Sequence, residues 1–507
     1  MATFFKASRT AVWVLAALTA GCGTPPPGRR YEPSWNSLST HRTPEWFKNA
    51  KFGIYTTWGV YAVPAFRTSY AGNMYEKQRD TYKYHVKHYG DPKDFGYKDF
   101  IPMFKAEKFD PDEWAALFKA AGAQFAGPLA EHHDGFAMWD SALTKWDAAD
   151  MGPKRDVVGE LAVAIRKRDM KFVTTFHHIT NWYWYPHWFT QYDVADPKYS
   201  GLYGPVHNQK NPPKDWWRDQ DRPNREFLDL WQGKIVEVID KYQPDMLWFD
   251  FQLDRVPEGR LLETFAYYFN HADRMGKEVL VTYKRQDLAP GVGVHDLERK
   301  QMLERSNEVW LTDSSLNMKG SWGYAPNLDY QSVDTLVDNL VDRVSKNGCL
   351  LLNVGPKSDG TIPQEAKKRL LGLGKWLKLN GEAIYDTTAW MIYGEGPTKM
   401  KASGKYGLEE PSRYTGQDVR FTAKGNVLYA ICLDWPGKEI TIASLKRLYP
   451  SEISRIEMVG ADGDLEWTFD RHKGLTIKTP ENKPCDHAYV FRITRRFEKF
   501  KMPDSLK

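Results

Sequence analysis

The sequence predicts an α/β fold, a (β/α)8-like barrel followed by a C-terminal antiparallel β-sandwich, and three observations lead there. Between about Lys51 and Tyr385, short apolar runs alternate with stretches of helical periodicity. Nearly every one of those runs ends in polar or ionisable residues, as barrel strands with a reactive mouth do. After about Thr387 the helical texture gives way to short strand-like runs separated by turn residues. At 507 residues the chain also exceeds what one hydrophobic core usually organises.

Barrel strands are expected at Phe52-Gly53-Ile54-Tyr55, Gln124 to Ala130, Phe172 to His177, Met246 to Asp250, Glu278 to Tyr283, Val292 to Leu297, Val309 to Thr312 and Cys349 to Val354. Several are almost continuously apolar or β-branched, as strands covered on both faces tend to be. The helices between them carry their own signals. Asp110-Pro111-Asp112-Glu113 offers an N-cap, a proline at the first helical position and an acidic third position. Trp114, Leu117, Phe118 and Ala121 then share one helical face, as do Phe227, Leu230, Trp231, Ile235 and Val238, and Val333, Leu336, Leu340 and Val344. Asn347-Gly348 and Asn380-Gly381 are expected to stop helices.

The sandwich strands are expected at Val419 to Thr422, Val427 to Cys432, Glu439 to Ile442, Leu465 to Phe469, Leu475 to Ile477 and Ala488 to Ile493. Lys424-Gly425, Pro436-Gly437 and Asp462-Gly463 mark turns between them. The expected organisation is a signal over 1–22, a tether over 23–44, the barrel over 45–386, the sandwich over 387–498 and a tail over 499–507.

Lys6 and Arg9 precede an apolar run from Ala11 to Ala20, too short to span a bilayer, which reads as an export signal. Leu18-Thr19-Ala20-Gly21-Cys22 resembles a bacterial lipoprotein box, with the leucine one position further from the cysteine than usual. The expectation is a protein of the periplasm or bacterial surface, touching the membrane only through a lipid on Cys22. Cys349, Cys432 and Cys485 are too scattered for a disulfide framework or a metal site. A net charge of +5, dispersed apart from a solvated basic cluster at Arg495-Arg496-Phe497-Glu498-Lys499, gives no reason to expect nucleic acid. The 20 Trp, 27 Tyr and 25 Phe supply either a large aromatic core or flat faces for stacking on sugars.

Reacting groups in a parallel barrel gather at the C-terminal strand ends. Here the first strand runs into Thr57-Trp58 and the second into Glu131-His132-His133-Asp134-Gly135. The third ends at His177-His178, the fourth at Asp250 and the fifth at Lys284-Arg285. The sixth meets Asp296 and Glu298, and the seventh Thr312-Asp313. A lone histidine after a strand is more often structural than functional, but polar groups at almost every strand end form a pattern. Asp250 closes a strand too apolar to leave a carboxylate unpaired, so it must be solvated, hydrogen-bonded or paired. Capping the next helix would satisfy it as well as catalysis would.

Several motifs in order then resemble the α-L-fucosidases of glycoside hydrolase family 29. They are Lys51-Phe52-Gly53-Ile54-Tyr55-Thr56-Thr57-Trp58-Gly59, His132-His133-Asp134-Gly135-Phe136 with Trp139-Asp140-Ser141, Asp150 to Asp156, Leu247-Trp248-Phe249-Asp250, Ser321-Trp322-Gly323-Tyr324, and Val344 to Gly348 leading to Leu351 to Pro356. The resemblance implies a barrel followed by a β-sandwich, hydrolysis of terminal α-L-fucosyl groups with retention, fucosylated glycans as substrates, and neither metal nor cofactor. It makes Asp250 the nucleophile. It makes Glu298, in Val294-His295-Asp296-Leu297-Glu298-Arg299, the acid/base, with Asp296 its closer competitor and Glu304 and Glu308 solvated. Such chemistry needs two carboxylates about 5–5.5 Å apart, one ionised and one carrying a proton at the start. The resemblance also makes His132 and His133 binders of sugar hydroxyls. Thr57, Trp58, Glu131, His178, Lys284 and Trp322 complete the expected substrate-binding set, although Trp58 and Trp322 could equally be packing. A metal at the histidines has no ligand spacing in its favour.

Two positions depart from the family pattern. Thr57 stands where histidine usually precedes Trp-Gly, and Asn73-Met74-Tyr75 where Glu-Trp-Tyr is common. A related sugar such as L-galactose, a decorated fucose, or a degenerate glycan-binding lipoprotein are therefore the alternatives.

Overall fold

The computed structural model describes residues 30–207, 222–318, 321–399 and 413–496. The expected export signal, Cys22 and the expected tail at 499–507 lie outside them. Eight parallel strands close in chain order into a barrel. They are β1 (Phe52–Thr56), β2 (Phe125–Glu131), β3 (Lys171–Phe176), β4 (Met246–Phe249), β5 (Leu280–Lys284), β6 (Val294–Asp296), β7 (Trp310–Ser315) and β8 (Gly348–Val354). All eight expected runs are strands.

Among the described residues, six helices cover the outside: α1 (Pro111–Ala120), α2 (Val157–Arg166), α3 (Arg225–Tyr242), α4 (Glu258–Arg274), α5 (Val333–Ser345) and α6 (Gln364–Asn380). Asp110 caps α1 as its sequence requires, its carboxylate accepting from the amides of Asp112 and Glu113. The α5 stop uses Asn347 rather than Gly348 as the left-handed residue, with φ +71°. Gly381 is right-handed instead, and its chain winds on into a 3₁₀ turn. No helix follows β5 or β6, whose connections to the next strand are irregular. Residues 30–44 are not a free tether. Tyr31 is buried and its backbone exchanges hydrogen bonds with Asn270 of α4.

Two cores fill the barrel. The outer one lies between strands and helices. The inner one contains Tyr55, Val173, Met246, Trp248, Leu280 and Leu311, closed at the bottom by Phe47. Strand side chains alternate between the two. This parity decides which residues reach the mouth.

Beyond α6, β9 (Thr388–Glu395), β10 (Val419–Lys424), β11 (Val427–Cys432), β13 (Ile453–Met458) and β16 (Tyr489–Arg495) form one antiparallel sheet. A second contains β12 (Glu439–Ile442), β14 (Trp467–Asp470) and β15 (Gly474–Lys478). Both contribute to one apolar core, which makes a sandwich. β9 and β13 lie outside the expected sandwich strands. Arg420 of β10 reaches α5, donating from Nε to Asp342 at 2.5 Å, while Lys346 donates to the same carboxylate at 2.6 Å. This buried triad fixes the sandwich against the helix that feeds β8.

Candidate active site

Inward parity carries five side chains to the mouth. Tyr55 is followed by Thr57, Thr175 by His177, Trp248 by Asp250, Thr282 by Lys284, and Leu311 by Asp313. With His132, His133, Glu298 and Trp322 they line a cavity of about 170 Å³, walled further by Trp184 and Phe251.

Asp250 is almost completely buried. Lys284 Nζ lies 2.9 Å from its Oδ1, and His177 Nδ1 and His133 Nε2 lie 3.2 and 3.5 Å from its Oδ2. Burial alone would raise its pKa, but Lys284, His177 and His133 overcome this and hold the carboxyl well below the usual range. The same ammonium sits 2.9 Å from Glu298 Oε2. The two carboxylate oxygens therefore lie within twice that distance of each other, a range that includes the spacing of a retaining pair. Lys284 also faces Asp313 at 3.6 Å and stacks 4.7 Å over Trp248. Burial lowers its pKa less than Asp250, Asp313 and Glu298 raise it, so it remains an ammonium.

Glu298 stands at the rim, its side chain 40% exposed, where water can exchange protons with it. Glu298 and Arg299 both have positive φ, 35° and 55°, a costly conformation for two residues with side chains. The Glu298 amide donates to Asp296 and the Arg299 amide to the Asp313 carbonyl, which hold the turn. Asp296, the competing acid, is fully engaged. Its carboxylate accepts from Trp248 Nε1 at 2.6 Å, from the Asp313 amide at 2.9 Å and from the Glu298 amide. It positions Glu298 and does not line the cavity.

Asp313 is buried and accepts from Tyr55 Oη at 3.2 Å. Burial, with the nearby Asp296 carboxylate, pushes its pKa well above the usual range, against the pull of Lys284. His132 and His133 are neutral: burial and neighbouring imidazoles lower the first well below 6.5 and the second to about 3. His132 Nδ1 and His177 Nε2 are buried without a hydrogen-bond partner. A neutral imidazole offers one donor and one acceptor, which suits a hydroxyl.

Three expected sugar contacts stand elsewhere. Trp58, one residue out of phase with Thr57, packs against Phe104, Phe109 and Trp114 and donates to the Lys357 carbonyl. His178, out of phase with His177, lies against Phe227 of α3. Glu131 should point inward by simple alternation. A bulge lets Leu129 pair with Thr175 but Glu131 with Phe176, which turns Glu131 outward to a buried ion pair with Lys234 at 2.8 Å. The same bulge brings His132 inward. Asn73 does not line the cavity, and its amide bonds Ser69.

Among the described residues, His132, His133 and His177 are a group that could hold a metal, with ligand atoms within 4.8 Å of one another. Tetrahedral zinc would require separations of about 3.4 Å. The neighbouring Lys284 ammonium also opposes a cation, so the cluster suits hydroxyls better.

A closed parallel barrel with a bridged pair of carboxylates and neutral histidines at its mouth is the equipment of a glycoside hydrolase. The family described as alpha-L-fucosidase matches residues 20–382, and its C-terminal domain matches residues 413–494. The tissue alpha-L-fucosidase of Homo sapiens is 31% identical over 92% of this chain and 92% of its own length. That of Rattus norvegicus is 30% identical over 95% and 96%. The crystal structure of Thermotoga maritima alpha-fucosidase with a mechanism-based inhibitor has a TM-score of 0.73 at 31% identity, covering 92% of this chain and all of that one. The chain belongs to the α-L-fucosidase family.

Proposed function

We propose that this chain is a retaining exo-α-L-fucosidase that removes terminal α-L-fucosyl groups from glycans. The observation that carries the reading is the single ammonium, Lys284, bridging Asp250 and Glu298 inside a cavity of monosaccharide size. Asp250, ionised, attacks the anomeric carbon while Glu298 gives its proton to the departing glycosidic oxygen. The C–O bond to the aglycone breaks as the ester to Asp250 forms. Glu298 then takes a proton from water, which displaces Asp250 and releases the sugar with its original anomeric configuration. His132, His133 and His177 receive the hydroxyls, and Trp184 and Trp322 face the apolar side of the ring.

The test is kinetic. Asp250→Ala and Glu298→Ala should each lose at least about a thousandfold in kcat on 4-nitrophenyl α-L-fucoside, with azide restoring turnover. Near-normal activity in either variant, or rescue of neither, rejects the assignment.

The reading includes export and anchoring. Its support is Lys6 and Arg9 before the apolar run to Ala20, and the box ending at Cys22. Mass spectrometry of the mature N-terminus should find acylated Cys22, and a mature chain beginning elsewhere would refute it.

A further inference from the structure

The 170 Å³ cavity is below the usual range for ligand pockets and has room for little more than one sugar ring, so the rest of the glycan must lie outside it. A groove of about 530 Å³ adjoins it and shares Thr68 with it. Resting on the fucosidase reading, we propose that this groove, formed by Phe66, Arg67 and Ser69 on one side and Ser321, Asn327 and Asp329 on the other, binds the pyranose to which the fucosyl group is attached.

Topology is the first argument. The nucleophile follows β4, and in a closed barrel of eight strands in sequence order β8 lies diametrically opposite. The groove is built from the loops after β1 and β7, the two neighbours of β8. Retention requires nucleophile and leaving group on opposite faces of the anomeric carbon, so the leaving sugar belongs on the groove's side.

The acid is the second argument. Glu298 must reach the departing oxygen, and the residue after it, Arg299, stacks 4.2 Å over Trp322. Trp322 lines the cavity, and its neighbour Ser321 lines the groove. Ser321 Oγ also accepts from the Thr68 amide at 3.1 Å, joining the two loops at the point where cavity and groove meet.

The lining is the third. Phe66 is half-buried, its ring stacked on Tyr84 at 4.5 Å, and its edge borders the groove. Arg67 is exposed, lies 5.4 Å over that ring and has no ion-pair partner among the described residues. Asn327 and Asp329 are exposed across from it. A guanidinium, an amide, a carboxylate and two serine hydroxyls around one ring suit a sugar with free hydroxyls.

The experiment compares kcat/KM for a fucosylated oligosaccharide with that for 4-nitrophenyl α-L-fucoside, whose leaving group has no hydroxyls to bind. In Arg67→Ala and Asn327→Ala the oligosaccharide-to-aryl ratio should fall about tenfold each. In Lys375→Ala, on the exposed face of α6, it should not change. Wild-type turnover of both substrates with an unchanged ratio in both groove variants overturns the groove alone, as does an equal loss on both substrates. Wild-type failure on both substrates overturns the reading beneath it.

Discussion

Replacing Lys284 with methionine removes a cation that serves both carboxylates. The Asp250–Lys284 contact is 2.9 Å and buried. At an effective dielectric of about 20, a unit pair at that distance is worth about 6 kcal/mol. Relaxation and the remaining contact with His177 will return part of it. The sign follows from linkage: a carboxyl held low by a cation is ionised to lower pH, and losing the cation moves its titration upward. The acid limb of kcat/KM should therefore rise by at least about one pH unit. Glu298 also loses its partner, so kcat/KM at neutral pH should fall roughly ten- to a hundredfold through misplacement. Lys284→Arg keeps the charge and should leave the acid limb near its original pH. The assay is a pH–rate profile on 4-nitrophenyl α-L-fucoside, with quenched samples read in alkali. An acid limb unmoved in folded Lys284→Met would refute the claim that Lys284 keeps Asp250 ionised.

Burial and the nearby Asp296 push the pKa of Asp313 well above the usual range, which favours its neutral form, so Asp313→Asn should keep most of the activity, whereas Asp313→Ala should cost at least about tenfold in kcat/KM. Equal losses in the two variants would reject a neutral Asp313. On α5, burial and the nearby Asp334 push Asp338 up to about 9, and its Oδ1 has no hydrogen-bond partner. Such a group is protonated only in the folded chain between about pH 4 and 9, and stability falls as pH rises through that window. Asp338→Asn should therefore gain at least about 1 kcal/mol of stability at pH 8 relative to pH 5. The same Tm difference from wild type at both pH values would disprove it.

The barrel was legible because its strands are continuously apolar, and a period of two is irrelevant to recognising such runs. That period was decisive for the site. Counting alternate residues inward from Trp248 gives Asp250, from Thr175 gives His177 and from Leu311 gives Asp313. It also excludes Trp58 and His178, whose neighbours Thr57 and His177 are in phase. His177 and Asp313 were visible at strand ends, yet only their phase separates them from His178 and Thr312. Glu131 marks the limit of such counting. Its phase is right and its position wrong, because one extra residue at Ala130 shifts the register of β2 against β3. Pro128, inside a strand that has no free edge, is a local hint of a bulge, but it does not say which residue is the extra one. The bulge has a use all the same. It sends Glu131 outward to a lysine and delivers His132, its neighbour, to the cavity, so a ring nitrogen and not a further carboxylate meets the sugar beside Asp250. With Lys284 the only ammonium on the cavity wall among the described residues, another ionised carboxylate there would compete with Asp250 for it. The irregularity that defeats sequence reading thus protects the charge on which the nucleophile depends.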